Sequence, residues 1–128
     1  MQNLILDLQG NGGGYLKAAF GMVDEFLEGG KMIVYTEGAN SPRQDLKASK
    51  NGDWKKGNII VLVDQTSASA SEIVSGVIQD LDRGVLVGQR SYGKGLVQNT
   101  QDVGYNSKVK ITIAKYYIPS GRCIQGVE

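Results

Sequence analysis

The sequence predicts an α/β fold, a β-sheet with packed crossover helices. Two observations carry this prediction: short apolar runs typical of buried strands, and intervening stretches whose apolar residues recur every three or four positions. Strand, helix and strand follow one another twice along the chain, an order typical of βαβ units. A chain of 128 residues has room for one domain with a real core.

The first unit begins almost at the N-terminus. Residues 3–8 form a near-continuous apolar run, which predicts a strand in the centre of a sheet. A glycine turn follows at 10–14, and the apolar residues within 16–27 have helical spacing. The glycine pair at 29–30 predicts the end of that helix, and residues 32–35 predict the next strand.

The second unit repeats this order after a polar stretch at 38–57, for which we predict a long excursion or a hairpin. Residues 58–63 give the clearest buried strand of the chain. A serine-rich turn follows, and apolar residues between 73 and 81 predict the second helix. Residues 84–88 predict a short strand, and the alternating pattern of 108–118 predicts a half-exposed one.

The composition excludes several function classes. The chain has no histidine, so a Ser-His-Asp triad cannot form, and its single cysteine, Cys123, allows neither an internal disulfide nor a cysteine zinc site. A net charge of +1 argues against nucleic acid as a partner, and no apolar run approaches the roughly 18 residues of a membrane span. We predict no metal and no cofactor. A nucleophilic serine here would need another base, for which a neutral lysine is the natural substitute.

The serine-rich turn at 67–72 holds the first candidate residue, Ser69. Backbone N–H groups at the start of the following helix would stabilise an anion there, as in an oxyanion hole. A glycine of the turn at 10–14 could supply a second N–H donor. The alternative is structural, because Ser69 and Glu72 have the spacing of a capping box. Taken alone, this segment favours the cap.

Lys94 lies between two glycines and is the candidate base. Such an amine loses its proton only when it is buried among apolar or cationic neighbours, and Gln98 could orient it without adding charge. Two other motifs share this lysine. A Walker A loop from Gly88 to Lys94 lacks the magnesium-binding hydroxyl, since Gly95 takes its place, and a Ser-x-x-Lys motif from Ser91 would need a helical turn that the glycines oppose.

Four segments together resemble the C-terminal processing peptidases, also called tail-specific proteases, a serine-lysine family. They are the first strand with its glycine turn (4–14), the serine turn (67–73), the lysine segment (92–98) and the closing strand (116–122). The resemblance covers nearly the whole chain. It implies a Clp protease/crotonase-like fold, with helices packed on a β-sheet.

The resemblance assigns roles by position. Ser69 would be the nucleophile, Lys94 the general base and Gln98 the residue that orients the lysine. The oxyanion hole would use the backbone N–H groups of Ala70 and Gly13.

Three further expectations follow from the resemblance. Asp80 is a further candidate, with a surface role as the alternative. The family's arginine and proline at the glycine turn are replaced here by Gln9 and Gly12, and the loss of proline is expected to loosen the oxyanion loop. The family's PDZ domain and flanking helical regions are absent from 1–128, so this range would be a single catalytic-core fragment of a larger protease.

The implied function is a serine endopeptidase that cleaves proteins near their C-terminal tails. Its partners would be proteins or peptides with exposed C-terminal tails, in a bacterial envelope or periplasm, with homo-oligomer formation left open. One alternative is a non-catalytic ligand- or peptide-binding module on the same fold, as in the retinoid-binding repeats of the eye. The joint presence of Ser69, Lys94 and Gln98 argues against it. A crotonase-type acyl-thioester enzyme is disfavoured, because its acidic catalysts have no matching motif.

Overall fold

The computed structural model describes residues 1–49 and 52–126. The chain has two helices and seven strands in these ranges, as expected for an α/β fold. The elements, in chain order, are β1 (Asn3–Asp7), α1 (Leu16–Asp24), β2 (Met32–Gly38), β3 (Ser41–Lys47), β4 (Asn58–Val63), α2 (Ala70–Asp80), β5 (Val85–Gly88), β6 (Leu96–Gly104) and β7 (Ser107–Tyr117).

The first sheet is parallel and has the order β1-β4-β5. The second predicted βαβ unit is therefore confirmed, since α2 connects β4 to β5. The first is confirmed only in part: α1 does follow β1, but the strand at 32–35 is β2 of the other sheet, and the parallel partner of β1 is β4. The prediction that β1 is central is wrong for the described residues. The central strand is β4, which pairs with β1 on one side and with β5 on the other.

The core lies between one face of this sheet and the two helices. Alternate residues of β4, namely Ile59, Val61 and Val63, are buried, whereas Ile60 between them is exposed. The helices contribute apolar side chains to the same cluster, among them Val23 of α1 and Val77 of α2, each fully buried. Neither helix of the described chain is long and apolar enough to cross a membrane.

Helix α1 ends earlier than the sequence pattern suggests. Its C-cap is Glu25, so the prediction that the glycine pair at 29–30 caps it is wrong. The apolar pattern continues because Phe26 and Leu27 still fill the core from the turn that follows the helix. Gly30 has φ +86° in the turn into β2, where its N–H donates to the carbonyl of Ala48 at 2.9 Å.

The second sheet is antiparallel with the order β3-β2-β7-β6. Strand β3 lies in the polar stretch and forms a hairpin with β2, which precedes it; a hairpin is one of the two alternatives that the sequence left open. The half-exposed strand predicted at 108–118 is β7. Strand β6 was not predicted, because polar residues such as Asn99, Gln101 and Asp102 hide its pattern; it is visible only through its pairing with β7.

Parallel pairing places three connecting segments at one edge of the first sheet. Because β1, β4 and β5 all point the same way, the glycine turn after β1, the serine turn after β4 and the segment after β5 all begin at their carboxyl ends. This is the edge at which α/β proteins place their functional sites. The candidate residues of the sequence analysis lie in or next to these three segments.

Candidate active site

The glycine turn packs directly on the serine turn. The carbonyl of Asn11 accepts the N–H of Ala68 at 3.1 Å. At Gly13, where φ is +97°, an added Cβ would lie 2.6 Å from the Ala68 carbonyl oxygen and 2.9 Å from the Ala70 nitrogen. Only glycine fits this contact, because both the conformation and the space exclude a side chain.

Of the two expected oxyanion donors, one N–H is free and the other is engaged. The Ala70 N–H has no hydrogen-bond acceptor within the described residues, as the first N–H of a helix commonly lacks one. The Gly13 N–H donates to the side-chain oxygen Oδ1 of Asn11 at 2.9 Å. In this conformation the site therefore offers one open donor at Ala70, with the Gly13 backbone packed beside it.

Asp64, at the end of β4, ties the serine turn to the glycine turn. Its Oδ1 accepts the hydroxyl and the N–H of Thr66 at 2.6 and 2.8 Å, and its Oδ2 accepts the N–H of Gly10 at 3.1 Å. The hydrogen bond from the Thr66 hydroxyl, with those from backbone N–H groups, lowers the pKa of Asp64 to about 2. Asp64 belongs to no motif of the sequence, and its only signal there is its position directly after a buried strand.

The three serines of the turn have different environments. Ser67 is fully buried, and its hydroxyl donates to the Leu8 carbonyl at 2.7 Å. Ser71 is buried with 3% exposure, inside α2. Ser69 is half-buried and sits at the junction between turn and helix. Among the three, Ser69 is the one that a ligand could approach.

Ser69 also has an unusual backbone. Its φ of 56° and ψ of −116° lie outside the regions that non-glycine residues normally occupy. Such a conformation persists only where its surroundings enforce it, and it is typical of functional sites. Here Gly13 lies against one side of the residue, and the Glu72 carboxylate accepts its N–H at 2.8 Å. The Glu72 contact is the carboxylate half of the capping box that the spacing suggested.

The lysine segment is attached to the serine turn and to the end of the described chain. The Tyr92 N–H donates to the Ser67 carbonyl at 3.0 Å. On the other side, the Gly126 N–H donates to the Gly93 carbonyl at 2.9 Å, and the Gly95 N–H to Oε1 of Gln125 at 3.0 Å. Both predicted motif glycines are therefore used to bring backbone segments close together.

The side chains of Lys94 and Gln98 are both exposed in the described chain. Residues 1–49 and 52–126 therefore do not supply the burial that a neutral Lys94 amine would need. The amide Nε2 of Gln98 donates to the hydroxyl of Thr112 on β7 at 3.4 Å, which is a long contact. Lys94 has no ion-pair partner within the part of the chain that is described.

Asp80, at the end of α2, joins the helix to the segment after β7. Its Oδ2 accepts the Ser120 N–H at 2.9 Å, and its Oδ1 pairs with Nη2 of Arg122 at 2.5 Å. The Asp80 side chain is only 5% exposed. Burial raises the pKa of this carboxyl, but the hydrogen bonds from Ser120 and Arg122 and the Arg122 charge outweigh it, so the net pKa is lowered.

Replacing Asp80 with asparagine should destabilise the protein at neutral pH and matter little in acid. A carboxyl with a lowered folded-state pKa adds stability above its unfolded-state pKa, near 4, and that stability is lost as the pH falls through the folded-state value. We expect Asp80→Asn to lower the free energy of unfolding by about 1–2 kcal/mol at pH 7. Urea unfolding at pH 7 and at pH 3 measures it, and an equal difference at both pH values would contradict the assignment.

A small apolar depression of about 120 Å³ lies beside the Ala70 N–H. Its walls come from the glycine turn and the facing sides of the two helices, including Gly13, Ala18, Met22 and Val74. An apolar side chain placed there would bring its own backbone close to Ser69 and Ala70. The depression can therefore receive an apolar side chain next to the Ala70 N–H donor.

The family model of peptidase family S41 matches residues 1–128. The chain belongs to peptidase family S41. It is 43% identical over 130 residues to a carboxy-terminal-processing protease of Bartonella bacilliformis, covering 99% of this chain and 29% of that protein. It is 37% identical to the chloroplastic carboxyl-terminal-processing peptidase 1 of Arabidopsis thaliana, covering 95% of this chain and 25% of that protein.

A solved structure shows the same S41 architecture. The photosystem II D1 C-terminal processing protease superposes with a TM-score of 0.91 at 32% identity, covering 98% of this chain and 32% of that one. The resemblance to the C-terminal processing peptidases and the Clp protease/crotonase-like fold are thereby confirmed. The chain spans about a third or less of the length of these S41 relatives.

Proposed function

We propose that this chain is the catalytic core of a serine endopeptidase that cleaves protein substrates near their C-terminal tails. Ser69 is the nucleophile, Lys94 the general base and Gln98 the residue that orients the lysine. The backbone N–H groups of Ala70 and Gly13 form the oxyanion hole. The names of the S41 relatives, which are carboxyl-terminal processing enzymes, suggest the substrate class.

One observation carries this proposal. Ser69 occupies a strained position directly before Ala70, whose N–H has no acceptor among the described residues, and the segment that bears Lys94 is hydrogen-bonded to the same turn. A strained serine, an N–H donor and the segment that bears the candidate base thus lie in one part of the fold, which supports the proposal. A binding module would have no need for this combination at a strained serine.

The proposed reaction begins when the neutral amine of Lys94 takes the proton of the Ser69 hydroxyl. The serine oxygen attacks the scissile carbonyl, and the negative charge develops on the carbonyl oxygen beside the Ala70 N–H. The C–N bond then breaks, and the Lys94 ammonium gives its proton to the departing amine. In the second half-reaction Lys94 takes a proton from a water molecule, whose oxygen attacks the acyl-serine carbonyl. The bond between the acyl carbon and the serine oxygen then breaks, and the Lys94 ammonium returns the proton to Ser69 as the acid product leaves.

This mechanism requires two changes from the conformation described above. The Gly13 N–H must leave the Asn11 side chain before it can donate to the oxyanion. The exposed amine of Lys94 must be covered to lose its charge, and a substrate chain bound over Ser69 would exclude water from it. We therefore place the assembled form of the site in the complex with substrate.

The test uses the full-length gene product and a folded reporter protein that ends in a flexible C-terminal tail. Mass spectrometry of the products should show cleavage near the tail, and a reporter without the tail should stay intact. A matched Ser69→Ala preparation should show no cleavage. Cleavage by Ser69→Ala at the wild-type rate would overturn the serine mechanism, and equal cleavage of tailless reporter would overturn the substrate class.

A further inference from the structure

Glu72 makes contacts that a helix cap alone does not explain. It is a buried residue, 5% exposed, in the first turn of α2. Its Oε2 accepts the Ser69 N–H and the Lys94 N–H, each at 2.8 Å. Its Oε1 accepts the Gly93 N–H at 2.6 Å and the Ser91 hydroxyl at 2.7 Å.

These four donors come from two separate segments of the chain. One belongs to the serine turn, and the other three belong to the segment that bears Lys94, 19 to 22 residues further along. A carboxylate offers about four acceptor positions, so the donors fill them. A local capping box would use only the Ser69 contact.

The charge of Glu72 is balanced by dipoles. No ion pair reaches it within 1–49 and 52–126. The carboxylate lies instead at the N-terminus of α2, where the helix dipole and three backbone N–H groups stabilise a negative charge. Because these N–H groups are fixed in the backbone, the carboxylate transmits its position to the backbone of both segments.

We propose that Glu72 is a positioning residue that fixes the lysine segment against the nucleophile turn, with Ser91 as its side-chain partner. The inference deepens the proposed function, because the two segments are those that carry the proposed nucleophile and base. Glu72 acts through the backbone of Ser69 and Lys94. The relative placement of hydroxyl and amine then depends on a single carboxylate.

Glu72→Gln keeps the size of the side chain and tests this directly. An amide offers one acceptor oxygen, and its NH₂ group would face donors that it cannot accept. Since a misplacement of about 1 Å can cost roughly 100-fold in rate, we expect kcat to fall about 100-fold with KM within about threefold of wild type.

Ser91→Ala removes one of the four donors and should lower kcat about three- to tenfold while the protein stays folded.

Hydrogen exchange gives a readout that does not depend on activity. In full-length Glu72→Gln, amide exchange should accelerate both in peptides covering 67–72 and in peptides covering 91–96. Ser75→Ala is the matched control, because Ser75 is buried on the same helix and, among the described residues, its hydroxyl donates only to the helix carbonyls of Ser71 and Glu72. It should leave both kcat and exchange in 91–96 unchanged.

The outcomes separate this inference from the proposed function. Faster exchange confined to 67–72 would mean that Glu72 is only a helix cap and would overturn the inference. Wild-type kcat in Glu72→Gln, beside an inactive Ser69→Ala, would overturn it as well. If Ser69→Ala stayed active, the proposed function would fall, and exchange in the two segments would still decide the role of Glu72. If Glu72→Gln did not fold, the Ser91→Ala variant would test the inference instead. Amide exchange in 91–96 at the wild-type rate in that variant would overturn the positioning role of Glu72.

Discussion

Replacing Lys94 with methionine is expected to lower kcat/KM about 1,000-fold while the protein remains folded. The methionine keeps most of the side-chain length but removes the amine that the proposed mechanism uses in both half-reactions. General base catalysis contributes roughly 10²- to 10⁴-fold, which sets the size of the effect. Lys94 makes no ion pair among the described residues and its side chain is exposed, so little stability should be lost.

Lys94→Arg separates a base from a positive charge. Arginine stays protonated in proteins, so it can supply a charge but cannot accept the proton of Ser69. We therefore expect Lys94→Arg to be as inactive as Lys94→Met in a steady-state cleavage assay. Lys110→Met, which removes an exposed lysine on β7, is the control and should retain wild-type kcat/KM. An active Lys94→Arg variant would refute the role of general base.

Replacing Gly13 with alanine should lower kcat by at least about 100-fold. The new Cβ would lie 2.6 Å from the Ala68 carbonyl oxygen and 2.9 Å from the Cβ of Ser69, so the glycine turn must move away from the serine turn. That movement displaces the second oxyanion donor, and the loss of one such donor costs roughly 10²- to 10³-fold. Single-turnover acylation measures the effect on the chemical step.

Gly104→Ala is the matched control for this substitution. Gly104 also has a positive φ, +86°, but an added Cβ there meets no atom within 4 Å. Both variants carry the cost of alanine in a left-handed conformation, about 1–2 kcal/mol, and only Gly13→Ala carries the clash. Equal kcat in the two variants would show that the contact between the glycine turn and the serine turn does not matter for catalysis.

Much of the first sheet could be predicted from sequence because its strands are apolar runs between strong turn signals. The bounds of β4 match the predicted run at 58–63, since a strand that is buried on one face and partly covered on the other leaves a clear apolar pattern. Strand β6 gave no such pattern, because it is stabilised by pairing with β7 while its side chains stay in solvent. The early end of α1 could not be predicted, because Phe26 and Leu27 are buried after the helix has ended and so continue its apolar pattern.

The identity of the candidate residues could also be predicted from the sequence, but their surroundings could not. The absence of histidine excluded the usual serine triad, and the motif set pointed to Ser69 and Lys94. The exposure of Lys94 and the engagement of the Gly13 N–H by Asn11 could not be predicted, because both depend on how loops pack in space.

By itself the sequence determined which residues can take part in chemistry, because residue type and order along the chain decide what a serine or a lysine is able to do. The tertiary structure decided which of them meet. Glu72 had the spacing of a helix cap, and only the parallel order of β1, β4 and β5 brings the later lysine segment within reach of its second oxygen. Hydrogen bonds between segments that are distant in sequence have no local signal, since each partner is compatible with many other turns.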